Sequence, residues 1–233
     1  MRRLLVALVV LIPLATAGEA QATDECRGLD VCISVPGPWV AVPAAPLAAV
    51  GRVEFQLTCP RGSIVGGLDA RLGDPTLAVS FLGALGSPVN PGISTSRSVV
   101  FLALSARGRR TAFQPLVGCI PTSGGGGRST TAHTPAAVKP RPVLRRVRML
   151  RVPAGATRRL VARCRGGERL VGSSYAVGFR TKSEPRPAVL GGVLVSLQLR
   201  ANALHVRASR GTIVPRGARV IVQVHLLCAK GPR

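Results

Sequence analysis

The sequence has few of the side chains on which enzymes and nucleic-acid readers depend. Aromatic residues make up 3% of its 233 residues, and it contains three histidines and nine acidic residues. So few rings offer little stacking surface for bases, and neither a recognition helix nor the ligand spacing of a zinc site is present. We therefore expect no sequence-specific nucleic-acid binding, no metal centre and no cofactor.

Long helical periods and long apolar runs are also lacking. Glycine (27) and proline (19) are frequent, and the apolar residues are largely Val, Leu and Ala, a composition typical of short strands and turns. The one long apolar run, residues 4–14, is shorter than the roughly 20 residues that a spanning helix needs. The sequence predicts an all-β protein that does not span a membrane.

The amino terminus has the three-part pattern of a secretory signal. Arg2 and Arg3 precede the apolar run, and the small residues Ala-Thr-Ala follow it at 15–17. We expect a signal peptide at 1–17, with cleavage after Ala17 or Ala20. The mature protein would then be secreted into a compartment in which disulfides form.

A stretch rich in Gly, Ser, Thr and Pro, residues 121–142, divides the rest of the chain and predicts a linker. The segments on either side, 36–120 and 143–233, look like two copies of one module, and an amino-terminal segment, 18–35, precedes them. In each copy a strand ends at a cysteine, a glycine turn follows, and a second cysteine lies 60 or 64 positions further on. We expect two related disulfide-bridged β-sandwich-like modules in tandem.

The four module cysteines each end an alternating strand on its apolar face. Because both partners would sit at the carboxyl ends of their strands, the bridged strands should face each other across a sandwich or lie parallel. Six cysteines allow fifteen connectivities, and the repetition favours one of them. The expected bridges are Cys59–Cys119, Cys164–Cys228 and a small amino-terminal ring closed by Cys26–Cys32.

The run Cys-Pro-Arg-Gly at 59–62, followed by Gly66-Gly67 and a closing cysteine, resembles a Cys-Pro-x-Gly…Gly-Gly β-module of secreted proteins from high-GC bacteria. The second copy departs from it, with Arg165 in place of the proline and Ser173 in place of the second glycine. The resemblance implies an extracellular β-domain and brings no catalytic residues with it.

Positive charge is the strongest chemical signal. The chain has 32 basic and 9 acidic residues, and removing Arg2 and Arg3 with the signal peptide leaves 30 against 9, a net charge of +21. The arginines from 141 to 165 have no acid among them, and strand alternation places several on an outward face. A field of this sign attracts polyanions. The candidate polyanion-binding residues are Arg145, Arg146, Arg148, Arg151, Arg159, Arg163 and Arg165.

We expect a non-enzymatic protein that binds an anionic envelope polymer or acidic glycan. The competing interpretation is that the basic face is only solvated and binds no ligand. The alternatives are an enzyme with an unrecognised site and a structural component of an extracellular assembly. His133 lies in the expected linker, and His205 and His225 lie on polar strand faces where we expect them to be solvated, so no catalytic residue is assigned. A deep pocket lined by Asp69, Asp74 or a strand histidine would favour the enzyme.

Overall fold

The computed structural model describes residues 24–29, 31–44, 51–82, 97–106, 108–122, 143–200 and 202–230. The expected signal peptide with both cleavage positions, His133 and most of the expected linker lie outside these residues. The described chain is almost all β, as the sequence predicted. Its elements are β1 Ile33–Pro36, β2 Trp39–Val42, β3 Gly51–Thr58, β4 Ser63–Leu72, β5 Ala78–Leu82, β6 Ser98–Ser105, β7 Thr111–Pro121, β8 Val143–Val152, β9 Thr157–Arg163, β10 Glu168–Arg180, α1 Pro187–Leu190, β11 Val193–Arg200, β12 Ala203–Arg210 and β13 Arg219–Lys230.

The strands form one large sheet and two small ones. The central sheet has seven strands in the order β1-β7-β2-β10-β13-β8, with β4 also paired to β7. The first small sheet has the order β3-β6-β5, and the second small sheet has the order β11-β12-β9. Every pairing in the three sheets is antiparallel.

The two small sheets cover opposite faces of the central sheet. In β13, Val222 and Val224 pack into a core shared with the second small sheet. Ile221, which alternation points the other way, packs into a core shared with Phe55 and Phe101 of the first small sheet. The result is three layers with a hydrophobic core on each side of the central sheet.

Two disulfides join the layers. Cys59, just after β3, is bonded to Cys119 of β7, so the bond links the first small sheet to the central sheet. Cys164, just after β9, is bonded in the same way to Cys228 of β13 and links the second small sheet. These are the expected pairings, and each joins strands that face each other across a core.

The third disulfide, Cys26–Cys32, closes the amino-terminal ring, which packs against glycines of the central sheet. A Cβ at Gly67 would lie 1.8 Å from the Glu25 carbonyl oxygen, and one at Gly118 would lie 2.0 Å from it. Glycine at these positions therefore allows the ring to lie directly on β4 and β7.

The halves on either side of the expected linker share one sheet. Strand β2 of the first half pairs with β10 of the second, with Trp39 opposite Phe179 and Val40 opposite Gly178. Strand β1 pairs with β7, although it straddles the expected boundary between residues 35 and 36. The central sheet is thus continuous between the halves.

The polar face of β13 differs from the expectation. Gln223 and His225 do lie on the face opposite the valines, but they are buried, and His225 is 0% exposed. The expectation that His225 is solvated was wrong because β3 of the first half packs over this face, where Gln223 hydrogen-bonds to the Gln56 main chain. His205, by contrast, lies half-buried on the outer side of β12.

Candidate functional site

The seven arginines singled out in the sequence lie on β8, on β9 and just after it. Two of them are engaged in ion pairs with acids that are distant in the chain. Arg145 Nη1 lies 2.5 Å from Glu54 Oε2 and 2.7 Å from His225 Nδ1. Arg146 Nε donates to Glu168 Oε2 at 2.8 Å, and its Nη2 contacts Glu168 Oε1. These two arginines neutralise acids of the protein itself and leave the candidate binding surface.

The remaining five, Arg148, Arg151, Arg159, Arg163 and Arg165, are exposed. In the described part of the chain none of them forms an ion pair with a carboxylate. The fold places them in different groups: Arg159 and Arg163 lie on the outer face of the second small sheet, whereas Arg151 lines a cavity at the strand ends. The arginines that form one run in the sequence therefore lie on two separate basic surfaces in the structure.

The first surface, which we call the outer basic face, is the solvent side of the second small sheet. Arg159 of β9 lies directly opposite Arg207 of β12. Two rows further along the same face, Ala203 of β12 has Arg163 of β9 on one side and Arg200 of β11 on the other. We define the outer basic face as Arg159, Arg163, Arg200 and Arg207.

A depression of about 380 Å³ lies in this face. Its polar lining includes Arg159, Arg207, His205, Ser196 and Gln198, and none of the described residues that line it carries a carboxylate. The His205 imidazole thus shares the depression with cationic and amide side chains. No acid among the described residues lies there to orient it as a general base. Its chemistry favours binding of anionic groups through guanidinium donors.

The second surface, which we call the arginine pocket, is a cavity of about 410 Å³ where β8 and β10 end and β13 begins. Arg180 at the end of β10 lies directly opposite Arg219 at the start of β13. Among the described residues that line this cavity there is no acid, and apolar side chains such as Val152 and Ile221 complete its wall. Its arginines are Arg151, Arg180, Arg210, Arg216 and Arg219.

Arg210 is the buried member of the arginine pocket. It is 6% exposed, and its Nη2 donates to the main-chain carbonyl of Pro215. Its Nε is buried without a hydrogen-bond partner, and it has no ion pair in the described chain. An arginine stays charged in proteins, so the pocket holds a partly desolvated cation that the protein itself does not neutralise.

The acids that would favour an enzyme have structural partners. Buried Asp74 accepts hydrogen bonds from the main chain and hydroxyl of Thr76 and from Arg109. Asp69 accepts main-chain N–H groups of Asp24 and Ala70. Asp74 therefore holds the turn after β4, and Asp69 holds the amino-terminal segment against β4.

The buried network around His225 is inaccessible to a substrate. His225 Nε2 lies 2.7 Å from Gln223 Oε1, and His225 Nδ1 lies 2.7 Å from Arg145 Nη1. Burial, and after it the nearby charge of Arg145, lowers the pKa of His225 to about 4. Burial acts to raise the pKa of Glu54, but hydrogen bonds from Arg52 and Arg145 outweigh it and hold that pKa below its usual value. The network joins β3, β8 and β13.

One group of possible metal ligands occurs among the described residues, namely Cys164, Glu168 and Cys228. The two sulfurs form a disulfide and offer no thiolate, and the carboxylate is paired with Arg146. Within the same described residues, no helix is both long and apolar enough to cross a membrane.

No protein-family model matches the sequence, and no curated protein is significantly similar to it. The site is therefore characterised by its own chemistry, which is a pair of arginine surfaces on an all-β scaffold.

Sequence reasoning missed most of the arginine pocket. It found Arg151, but not Arg180, Arg210, Arg216 or Arg219, because these residues are scattered along the chain and meet only where strand ends converge. A weak signal was present: Arg210, Arg216 and Arg219 fall within ten positions around the turn Pro215-Arg216-Gly217, with no acid between them.

Proposed function

We propose that this protein is a secreted, non-enzymatic binding protein for an anionic polymer outside the cell or in its envelope. The observation that carries the proposal is the outer basic face, where Arg159 lies opposite Arg207 on neighbouring strands. Like charges directly opposite each other destabilise a strand pair. A bound polyanion would relieve that repulsion, since it brings the negative charge that the face lacks.

The shape of the outer basic face supports a polymer as the ligand. Its four arginines lie on three adjacent strands and are all exposed. Neighbouring strands lie about 5 Å apart, so the guanidinium groups cover a strip that several successive charged groups of an extended polymer can contact. The small aromatic content indicates that these contacts are made to charged groups and not by stacking.

Secretion is part of the same proposal. It is supported by the signal-peptide pattern at 1–17 and by the three disulfides, which are typical of proteins in oxidising compartments. Export excludes cytoplasmic nucleic acid as the ordinary ligand. Envelope polymers and acidic glycans are the polyanions that remain.

We also propose that the halves are two copies of one module. Strands β3-β6-β5 and β9-β12-β11 pair in the same way. In both halves the last strand pairs with a strand that has a β-bulge beside the bridged cysteine. In the first half β4 pairs with β7, Val65 lies opposite Cys119, and the register shifts at the next position. In the second half β10 pairs with β13, Leu170 lies opposite Cys228, and the register shifts at the same place. A duplicated module explains why both bulges fall at the same place.

The test is a salt titration of the mature, disulfide-bonded protein against three defined polyanions, namely heparin, double-stranded DNA and poly-L-glutamate. We expect binding at low salt and a linear fall of log affinity with log salt concentration. The variant Arg159→Gln/Arg207→Gln should weaken binding to all three and reduce the salt slope for DNA by about two.

The matched control is Arg61→Gln/Arg186→Gln, which removes the same charge from two exposed arginines outside both basic surfaces. It should retain most of the binding. An equal loss in both variants would show that net charge alone attracts the polymer, and no binding to any of the three at low salt would overturn the proposal.

A further inference from the structure

We propose that the arginine pocket is a second, separate site that binds a phosphate or sulfate ester of a small organic molecule or chain end. The pocket shares no arginine with the outer basic face. Its Arg210 is buried, whereas the four arginines of the outer basic face are all exposed. A recessed cation of this kind favours a discrete anionic group over a length of polymer. This inference goes beyond polymer binding and can fail independently of it.

The charge of Arg210 is not balanced by the protein. Its guanidinium is almost fully withdrawn from water, yet Nε lacks a hydrogen-bond partner and no carboxylate among the described residues pairs with it. A buried, unpaired charge is among the most costly arrangements in a protein. A tetrahedral oxyanion in the pocket would supply both the missing charge and an acceptor for the free N–H.

Four further arginines line the same cavity as Arg210. The strand register places Arg180 opposite Arg219, which is a repulsive arrangement, and Arg151 and Arg216 line the same cavity. Several arginines lining one cavity match an anion with two charges and at least three acceptor oxygens, since each guanidinium fork can donate parallel N–H bonds to two oxygens.

The size and lining of the pocket define the rest of the ligand. A volume of about 410 Å³ falls in the range of roughly 300–1,000 Å³ of small-molecule sites. Val152, Ala154, Val220 and Ile221 contribute apolar wall next to the arginines. An inorganic ion alone would leave that wall without contacts, so an ester with an organic part fills the cavity better.

An adjoining cavity of about 520 Å³ extends the site along the protein surface. It shares Arg180, Ala218 and Arg219 with the arginine pocket and adds Lys182 and Gln114. The organic part of the ligand thus has a second polar and basic region to enter. The arrangement suits a phosphorylated or sulfated sugar, whose hydroxyls would meet the exposed ammonium group of Lys182.

The experiment measures binding of inorganic phosphate, inorganic sulfate and glucose 6-phosphate to the mature protein by calorimetry, with glucose as the neutral probe and sodium chloride at matched ionic strength as the blank. We expect phosphate and sulfate to bind, glucose 6-phosphate to bind more tightly than either, and glucose not to bind. Trp39, the one tryptophan of the chain, pairs with Phe179 beside Arg180 and gives an independent fluorescence readout.

The decisive variant is Arg210→Met, which removes the buried charge but keeps an unbranched side chain. It should reduce the affinity for glucose 6-phosphate at least about tenfold, since a hydrogen bond to a charged group is lost. It should not lower the Tm of the ligand-free protein, because a buried unpaired charge is removed with it. If Arg210 had only a structural role, Arg210→Met would lower the Tm of the ligand-free protein.

Two further variants keep the test open to refutation. Arg180→Gln/Arg219→Gln alters exposed arginines at the strand ends and should lose the same binding if Arg210→Met folds poorly. Arg159→Gln/Arg207→Gln on the outer basic face should retain it. The site would be refuted if none of the anions gave a heat or fluorescence change. It would also be refuted if Arg159→Gln/Arg207→Gln lost as much glucose 6-phosphate binding as the pocket variants. Neither result would decide whether the outer basic face binds a polymer.

Discussion

The side-chain amide of Gln223 forms with the main chain of Gln56 the two hydrogen bonds that a neighbouring strand would form. The Gln56 N–H donates to Gln223 Oε1 at 2.5 Å, and Gln223 Nε2 donates to the Gln56 carbonyl at 2.9 Å, although the residues are 167 positions apart. The contact joins the first small sheet to the central sheet. It anchors a polar network that continues through His225 to Arg145 and Glu54.

We expect this network to make stability depend on pH. The pKa of His225 is lowered from 6.5 to about 4 in the folded protein, so below pH 6.5 the unfolded chain binds more protons than the native state. The stabilisation is complete above pH 6.5 and is lost as the pH falls to about 4, amounting to about 3 kcal/mol. The lowered pKa of Glu54 acts in the same direction at the acidic end. Urea unfolding between pH 4 and 8 measures the effect.

Two histidine variants serve as controls for this pH dependence. His225→Gln should be less stable at pH 7 but show a flatter profile between pH 6.5 and 4.5. His205→Gln, at the half-buried histidine of the outer surface, should keep the profile of the parent protein. A parent protein equally stable at pH 6.5 and 4.5 would contradict the buried, neutral state of His225.

We expect the contact between Arg145 and Glu54 to couple the two halves energetically. Their side chains are 22% and 11% exposed, so removing one partner leaves the other poorly solvated. Arg145→Met and Glu54→Gln should each lower the free energy of unfolding by about 1–3 kcal/mol, and the double variant should cost less than their sum. The exposed pair Arg27 and Asp24 is the control, and neutralising it should show almost no coupling.

We expect the halves to remain associated after the chain between them is cut. No disulfide connects one half to the other, yet β2 pairs with β10 within one sheet. A protease site inserted between residues 123 and 142 should therefore give two fragments on non-reducing denaturing gels but one species in native gel filtration. Separation of the fragments under native conditions would show that the shared sheet does not hold them together.

We expect the amino-terminal ring to depend on Gly118. A Cβ there would lie 2.0 Å from the Glu25 carbonyl oxygen and 2.8 Å from Cys32 Sγ. Gly118→Ala should lower stability by about 1–3 kcal/mol and speed hydrogen exchange in residues 24–29, because the ring must move off the sheet. Gly108→Ala is the matched control, since nothing lies within 4 Å of its added carbon. Equal effects of the two variants would refute the packing.

Local pattern was sufficient for much of the fold. The strand that ends at Cys59 is β3, and alternation puts Val53, Phe55 and Leu57 on the apolar face that this cysteine shares. They are 5%, 2% and 7% exposed. Repetition of a strand ending in cysteine led to the disulfide pairs that the structure contains. Both follow from the two-residue period of a strand, which is a property of the sequence itself.

What covers the second face of each strand was decided by the tertiary structure alone. The same alternation placed His225 correctly on the polar side of β13, but burial of that side depends on β3, which lies well over 150 positions earlier in the chain. Arg145 and Arg146 are no longer candidate polyanion-binding residues for the same reason, because the fold brings Glu54 and Glu168 into ion pairs with them. The arginine pocket gathers residues from strands that converge in space. A strand's period divides its side chains between two faces, but long-range pairing determines which face meets water and which charges meet one another.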